Sequence, residues 1–532
     1  MSVQPSGKPA GSVLVAGAGP VGLVLASELA RRGVAVRVVD AAQAPSQPPQ
    51  SRAVLIWPRT LELLRGIGAA QQLAAIGHRL DAIAYRSDGR LLGRVRVGRL
   101  PDTPYPYALT LPQYATEQVL LESLQACGGR VERGTVVEKV TMGAVSTRAD
   151  VLLRHADGTA EHVTPAWVVG ADGAHSAIRK ELGIAFEDDS VDVTFGIADA
   201  PVTGPVERDT LHYCYTPDGA IGVVPLPGGL FRIAVSIPHR DPADPPPASV
   251  FADALRRLAP GLGHLGEPQW TGSFRVRCRI AKSFRHGRVF LAGDAAHVIS
   301  PAGGQGMNLG IQDAVNLGWK LAAVSRSTMP PDILDTYQTE RRAAARRVAA
   351  ATAAQTRWGM LQSRPRIAAR DALVRAAAAT GVLQRVVAPL MAQTDVRYAT
   401  SQVPALRTAR LQAGMRLPVF GAPSHEAGSL PVAPGEPALA ADGFTVLTSH
   451  APEALMAALA EQATVVTAVG PGAPATVRRA LGRKAVIVTI RPDGHIAFVA
   501  PGSAAGVAAT RAFLATQLNP GTLTAAPAKP VP

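Results

Sequence analysis

Cysteine is scarce in this chain. Cys127, Cys214 and Cys278 are the only three among 532 residues, and they form no CxxC pair. A disulfide scaffold and a cysteine-based metal cluster are therefore not expected. The twelve histidines show no HExxH or comparable ligand spacing, so no metal is expected either. The apolar run at residues 13–30 is broken by Gly17, Gly19, Pro20 and Gly22 and carries Glu28, so it reads as a strand followed by a helix, not a membrane span. No basic segment followed by an apolar core and cleavage site stands at the start, which makes the cytoplasm the expected location, with no membrane partner. No repeat of solenoid period is present.

Acidic residues are also few, 40 against 54 Lys and Arg, for a net charge of +14. The cations are mostly scattered arginines. Their densest group, Arg341, Arg342, Arg346 and Arg347, lies on a polar helical stretch beside Glu340 and reads as a solvated face, so nucleic acid is not expected as a partner. An apolar fraction of 47% is that of a globular protein, and 532 residues suit about three domains.

What is present is a set of three glycine-rich junctions. In the first, the apolar run Val13–Ala16 meets Gly17-Ala18-Gly19-Pro20-Val21-Gly22, a helix follows from Leu23 to Arg32 and closes at Gly33, and a second apolar run, Val34–Val39, ends in Asp40. In such a βαβ unit Gly17 permits the tight turn, Gly19 lets the backbone approach a pyrophosphate, and Gly22 lets helix and strand pack closely. Asp40 stands where a carboxylate holds a ribose hydroxyl and repels a 2′-phosphate, so FAD or NAD is expected here, not NADP. The second junction is Trp167-Val168-Val169-Gly170-Ala171-Asp172-Gly173-Ala174-His175-Ser176-Ala177-Ile178-Arg179, where Asp172 taken alone is equally well a turn or helix-cap residue. The third is the strand Val289–Ala292, then Gly293-Asp294 and Pro301-Ala302-Gly303-Gly304-Gln305-Gly306-Met307-Asn308, which opens a helix from Leu309 to Val324. A carboxylate and a row of free N–H groups converge there, a place able to grip a hydroxylated, anionic cofactor. His297 beside it reads as a packed or hydrogen-bonded loop residue.

In their order, GAGPVG, GADGAHSAIR and GRVFLAGDAAH with its PAGGQGMNLGIQDAVNLGWKLA continuation resemble the class A flavoprotein monooxygenases, aromatic hydroxylases with a fold like p-hydroxybenzoate hydroxylase. The resemblance covers residues 11–400 strongly. Two shorter echoes, Ser51-Arg52-Ala53 and Leu111-Pro112-Gln113, imply that Arg52 and Gln113 face the flavin; Ser300 departs from a second proline found in some relatives. The resemblance implies that Asp294 holds the ribityl chain or pyrophosphate region, that Asp172 supports the cofactor from the neighbouring loop, and that Pro301, Gly304, Gly306, Met307 and Asn308 border the flavin, with Met307 and Asn308 at its anionic edge. It further implies reduction of FAD by NAD(P)H, addition of O₂ at the flavin C4a carbon, and transfer of the distal oxygen of the hydroperoxide to a phenolic or polyketide-like aromatic substrate. A basic surface suits both anionic cofactor and phenolate. No second Rossmann motif is evident, which fits transient nicotinamide binding. Epoxidation, Baeyer–Villiger insertion and a non-catalytic flavin-binding role are the alternatives; WxWxIP, the halogenase signature, does not occur among the five tryptophans.

The expected fold is α/β: a Rossmann-like FAD-binding domain with an inserted antiparallel β substrate domain and a C-terminal thioredoxin-like domain. Residues 1–400 form the first unit, built from segments 11–75, 105–185 and 275–345 around an insertion at 186–274, with a helical extension over 343–390; residues 401–532 form the second. In the insertion, Thr210–Tyr215, Ala220–Leu226 and Phe231–Ile237 read as strands, and His212, Tyr213, Cys214 and Tyr215 alternate between faces. The C-terminal unit has no cysteine, so thiol redox chemistry is not expected there; a stabilising or oligomer-forming role is.

Overall fold

The computed structural model describes residues 12–48, 53–142, 148–188, 193–238, 245–399, 411–418, 443–449, 459, 465–469, 481–482 and 485–519. Val13–Ala16 is apolar and fully buried, as a strand covered on both faces must be. It pairs in parallel with Val36–Asp40 on one side and Trp167–Gly170 on the other, and Trp167–Gly170 pairs in parallel with Val289–Leu291. Val131–Arg133 and Arg285–His286 complete a six-stranded sheet at its two edges. The three glycine junctions therefore leave three neighbouring strands at the same end of one sheet.

Two helices pack against each other beside that end. The helix Pro20–Ala30 begins with proline at its first turn, and the long central helix Gly306–Ser325 lies along it. A Cβ at Gly310 would sit 2.6 Å from Val21 Cγ2, and one at Gly318 would sit 2.9 Å from Glu28 Cβ. Glycine at these two positions sets how near the helices come.

The second sheet runs through Thr194–Thr203, Leu230–Ile237, Gly219–Pro225 and Thr210–Thr216, largely antiparallel, with Trp270–Arg275 beside Thr194–Thr203. It is not confined to the insertion at 186–274. Ala82–Ser87 joins Thr210–Thr216 in parallel, and Arg90–Arg96 extends the sheet beyond it. Pairing between such distant stretches leaves no local pattern to read. Cys214 packs with Phe231, Phe251 and Leu255 under the helix Ala248–Leu258. Tyr213, on the opposite face, packs with Tyr85 towards Leu55, Trp57, Leu383 and Met391.

Three helices follow, Asp335–Gly359, Arg364–Ala379 and Val382–Ala392. The arginine group expected to be solvated divides between inside and outside. Arg341 is fully buried against Asp313, Arg342 reaches Glu187 at 2.7 Å, and only Arg346 and Arg347 stand at the surface. Arg341 is buried because a carboxylate waits for it inside.

Towards the C-terminus a four-stranded sheet has the order Val465–Val469, Thr445–Ser449, Val486–Ile490, Ile496–Pro501. Its first two strands are parallel and the remaining pairs antiparallel. Phe444, Ile487, Phe498 and Leu514 share a hydrophobic cluster with Trp319 and Ala323 at the end of the central helix. Among the described residues no single helix is long and apolar enough to cross a membrane.

Candidate cofactor and active site

The three glycines of the first loop meet different demands. A Cβ at Gly17, whose φ is +103°, would overlap the Ala171 carbonyl, and one at Gly22 would overlap the carbonyl of Gly17. These two let the Gly-Ala-Asp loop and the helix start close onto the first strand. Gly19 has extended backbone, and a Cβ there would meet nothing within 4 Å. That open space, beside helix N–H groups with no side-chain cap, fits a pyrophosphate. Pro20 is buried and Val21 half-buried against Gly293. Asp40 reaches back to the loop: Oδ2 accepts from Ala18 N–H at 2.5 Å and Oδ1 from Ala42 N–H at 2.8 Å. The residues present thus suit the adenine-nucleotide half of FAD.

Asp172 caps a helix. Its Oδ2 accepts from the N–H groups of Ala177 and Ile178 at 2.8 and 3.3 Å, at the start of Ala177–Glu181. Its Oδ1 is buried without a hydrogen-bond partner among the described residues, and burial raises the carboxyl's pKa against the helix hydrogen bonds that lower it. Asp294 is exposed at the end of Val289–Leu291, in the turn Gly293–Ala295. Beneath it lies a buried ion cluster. Asp313 Oδ2 lies 2.6 Å from His297 Nε2 and accepts from Gly293 N–H at 3.1 Å, while Oδ1 accepts from Arg341 Nε at 2.7 Å. Burial alone would raise the pKa of Asp313, but His297 and Arg341 hold it below the usual carboxylate range. His297 is therefore packed and hydrogen-bonded as expected, though in the short strand His297–Val298 and not in a loop, and Asp313 and Arg341 are the partners that sequence reading missed.

The loop before the central helix is clamped from four sides. Gly303 N–H donates to the Tyr213 hydroxyl at 2.9 Å, and Gly303 O accepts from Trp57 Nε1 at 2.8 Å. Asn308 Nδ2 donates to Leu55 O and Gly304 O at 2.8 and 2.9 Å, and its Oδ1 accepts from Trp57 N–H at 2.8 Å. The Asn308 side chain is therefore spent on holding the loop. Gln305 Nε2 donates to Met391 O at 3.0 Å, while Gln393 donates to Gln305 Oε1 and accepts from Gln312. Gln393 does this in the left-handed region, at φ +55°, although it is not glycine. Gly304, at φ +60°, has no room for a Cβ beside Leu55; Pro301 is exposed, and Gly306 and Met307 are half-buried. The central helix has no side-chain cap, so the N–H groups of its first turn and the positive end of its dipole suit an anionic ligand.

Gln113 opens the helix Gln113–Ala126; its Oε1 accepts from Ala53 N–H at 3.1 Å and its Nε2 donates to Glu117 at 2.8 Å. Arg52, its neighbour in the expectation, lies outside the described residues. Tyr85, Tyr213 and Tyr215 form a wall over the Gly303 loop, with ring centroids 5.7 and 6.4 Å apart and interplanar angles of 23° and 4°. Burial pushes the Tyr213 phenol up to about 12, so the wall is aromatic and uncharged at neutral pH. The strand pattern marked Tyr213 and Tyr215, but nothing in the sequence marked Tyr85, which meets Tyr213 only through the long-range parallel pairing. Among the described residues no group of His, Cys, Asp and Glu could hold a metal ion.

Residues 11–352 match the FAD binding domain family. The chain is 43% identical over 335 residues to 6-methylpretetramide 4-monooxygenase of Streptomyces rimosus, covering 62% of this chain and 58% of that protein. It is 36% identical to pentachlorophenol 4-monooxygenase of Sphingobium chlorophenolicum, covering 64% of each. The matched part thus spans somewhat less than two thirds of these relatives. The solved anhydrotetracycline hydroxylase of Streptomyces rimosus superposes with a TM-score of 0.72 at 29% identity, over 92% of this chain and 95% of that one.

Proposed function

Because this chain belongs to the FAD-binding monooxygenases of the aromatic and polyketide-tailoring type, we propose that it hydroxylates a phenolic or polyketide-like aromatic compound with NAD(P)H and O₂. The observation that carries the reading is the hydrogen bond from Gly303 to Tyr213, which joins a cofactor loop to a tyrosine wall. FAD bound here would supply the reductive activation of O₂ and the oxygen transfer. The chain's own part is placement. Asp40 and the Gly19 face would hold the nucleotide, Asp294 the ribityl and pyrophosphate region, and the N–H groups of Gly306, Met307 and Asn308 the anionic edge of the ring system. Tyr85, Tyr213 and Tyr215 would stack an aromatic substrate and exclude water, while basic surface draws in the nicotinamide cofactor. The reading sets the reaction in the cytoplasm, where NAD(P)H is supplied.

We read the C-terminal sheet as thioredoxin-like, on its strand order, its one parallel pair and the closing helix Ala504–Gln517. Its role in this reading is to brace the central helix.

Turnover of a panel of phenols and polycyclic aromatics under ¹⁸O₂ tests the proposal. One labelled oxygen is expected in the product as NAD(P)H is consumed. Product labelled only from water, or oxidised by hydride loss alone, would reject the monooxygenase reading.

A further inference from the structure

Seven large hydrophobic side chains stand exposed among the described residues, and five of them, Leu91, Trp358, Leu373, Val382 and Val386, belong to one region. They lie on or beside the helices Arg364–Ala379 and Val382–Ala392, which bend by 95° at their junction. The strand Arg90–Arg96, carrying Leu91, packs under both helices, and Trp358 is tied to the first through its carbonyl, which accepts from Arg370 at 3.0 Å. Leu373 and Val386 are 56% and 58% exposed. Such a gathering is unusual on a surface that meets only water.

The charges of the same helices have one sign. Arg364, Arg366, Arg375 and Arg385 are exposed, whereas the one carboxylate, Asp371, is buried and paired with Arg370 at 2.8 Å. The outer sides of these two helices thus carry apolar groups and guanidinium groups and no exposed carboxylate, the nearest in sequence to Leu91 being Asp88 in the turn before its strand. A second copy docked across a two-fold axis would set these cations against their own images. Phosphate head groups supply the missing sign.

We propose that this helix pair seats the protein peripherally on an anionic bilayer surface. Leu373, Val382 and Val386 enter the boundary between head groups and acyl chains, and the flanking arginines meet the phosphates. No spanning helix is needed, so the expectation of no membrane partner, which rested on missing spans, does not bear on such a contact. The inner sides of the same helices, through Val374, Ala378 and Leu383, pack into the cluster that holds Tyr85 and Tyr213. An apolar aromatic compound dissolved in the bilayer would therefore be delivered next to the tyrosine wall, although the docking itself does not depend on the proposed reaction.

Co-sedimentation of the full-length flavin-loaded protein with vesicles tests this. Binding is expected to vesicles of phosphatidylglycerol and phosphatidylcholine in equal parts, several-fold above that to phosphatidylcholine alone, and to weaken as salt rises. Leu373→Glu combined with Val386→Glu should abolish it with flavin content unchanged. The milder Leu373→Ala with Val386→Ala, which keeps helix propensity, should weaken it several-fold. Absence of wild-type binding to the anionic vesicles overturns the proposal. So does undiminished binding of both double variants, or a wild-type dimer without vesicle binding that the glutamates convert to monomer.

Discussion

A methyl group added at Gly19 meets no atom within 4 Å, whereas one added at Gly22 overlaps the carbonyl of Gly17. The two positions therefore separate binding from folding. Gly19→Val is expected to melt like the wild-type apoprotein yet bind FAD at least about tenfold more weakly, about 1.4 kcal/mol. Gly22→Ala should instead destabilise the apoprotein itself by about 1–3 kcal/mol. Flavin absorbance and thermal melts of the flavin-free variants check the pair, and the reverse ordering would remove the pyrophosphate assignment from Gly19. Gln393 makes a second case. Gln393→Met keeps the volume but removes the amide that holds Gln305 and Gln312, leaving buried polar atoms unpaired at a cost of about 1–3 kcal/mol. Fluorescence titration of the apoprotein should show FAD affinity reduced several-fold; unchanged affinity would mean that Tyr213, Trp57 and Asn308 set the loop without it.

The central helix Gly306–Ser325 presents its first turn to the cofactor loop, packs its middle against Pro20–Ala30 and offers its far end to the C-terminal sheet. Asp313 is its inward anchor. Arg341→Met leaves that carboxylate buried with His297 as its one side-chain partner, and is expected to cost about 3–5 kcal/mol in chemical unfolding. Arg341→Lys should recover only part, because an ammonium cannot reproduce the fork that reaches Asp313, Tyr398 and Leu309 together; full recovery would show that charge alone matters. These partners also mark what the sequence could disclose. The strand, loop and helix of each glycine junction are consecutive, so Gly17, Gly19, Asp40 and the helix start were legible from periodicity and spacing. Arg341 lay in a run of arginines that looks solvated until Asp313 is placed opposite it. The clamping role of the Asn308 side chain is not legible in the sequence, because it depends on Leu55 and Trp57, some 250 residues earlier. Tyr85 is hidden for the same reason, since it joins the wall only through its parallel pairing with Tyr213.

Across the whole molecule, the turn after Val486–Ile490 is inserted among buried charges of the larger unit. Arg491 bonds Glu340 at 2.5 and 2.9 Å, Asp493 accepts from Asn316 and Trp319 at 3.3 Å, and Arg59 donates to Asp493 O at 2.6 Å. His495 stacks on Tyr398 with centroids 4.1 Å apart, near Asp493, Arg59 and Arg491. Burial pushes its pKa down to about 4 despite Asp493, and burial does the same to His212, which also faces Arg86, Arg94 and Glu207. An unfolded chain takes up these protons below about pH 6.5, while the folded protein refuses them until about pH 4. Their contribution to stability is thus present above pH 6.5 and lost as pH falls through that window. Urea midpoints measured across it should decline, and His495→Phe should flatten the decline; an unaltered slope would show that His495 does not resist protonation. The separation of Arg491 from Glu340, 151 residues along the chain, has a consequence for synthesis. At ~5–20 residues per second the ribosome delivers Arg491 roughly 8–30 s after Glu340. The other partners of Glu340, Lys320 and Asn316 at 2.8 Å, and every loop from Gly17 to Asn308 come before it in the chain. The glycine loops therefore precede, in order of synthesis, the brace that Arg491 supplies to Glu340.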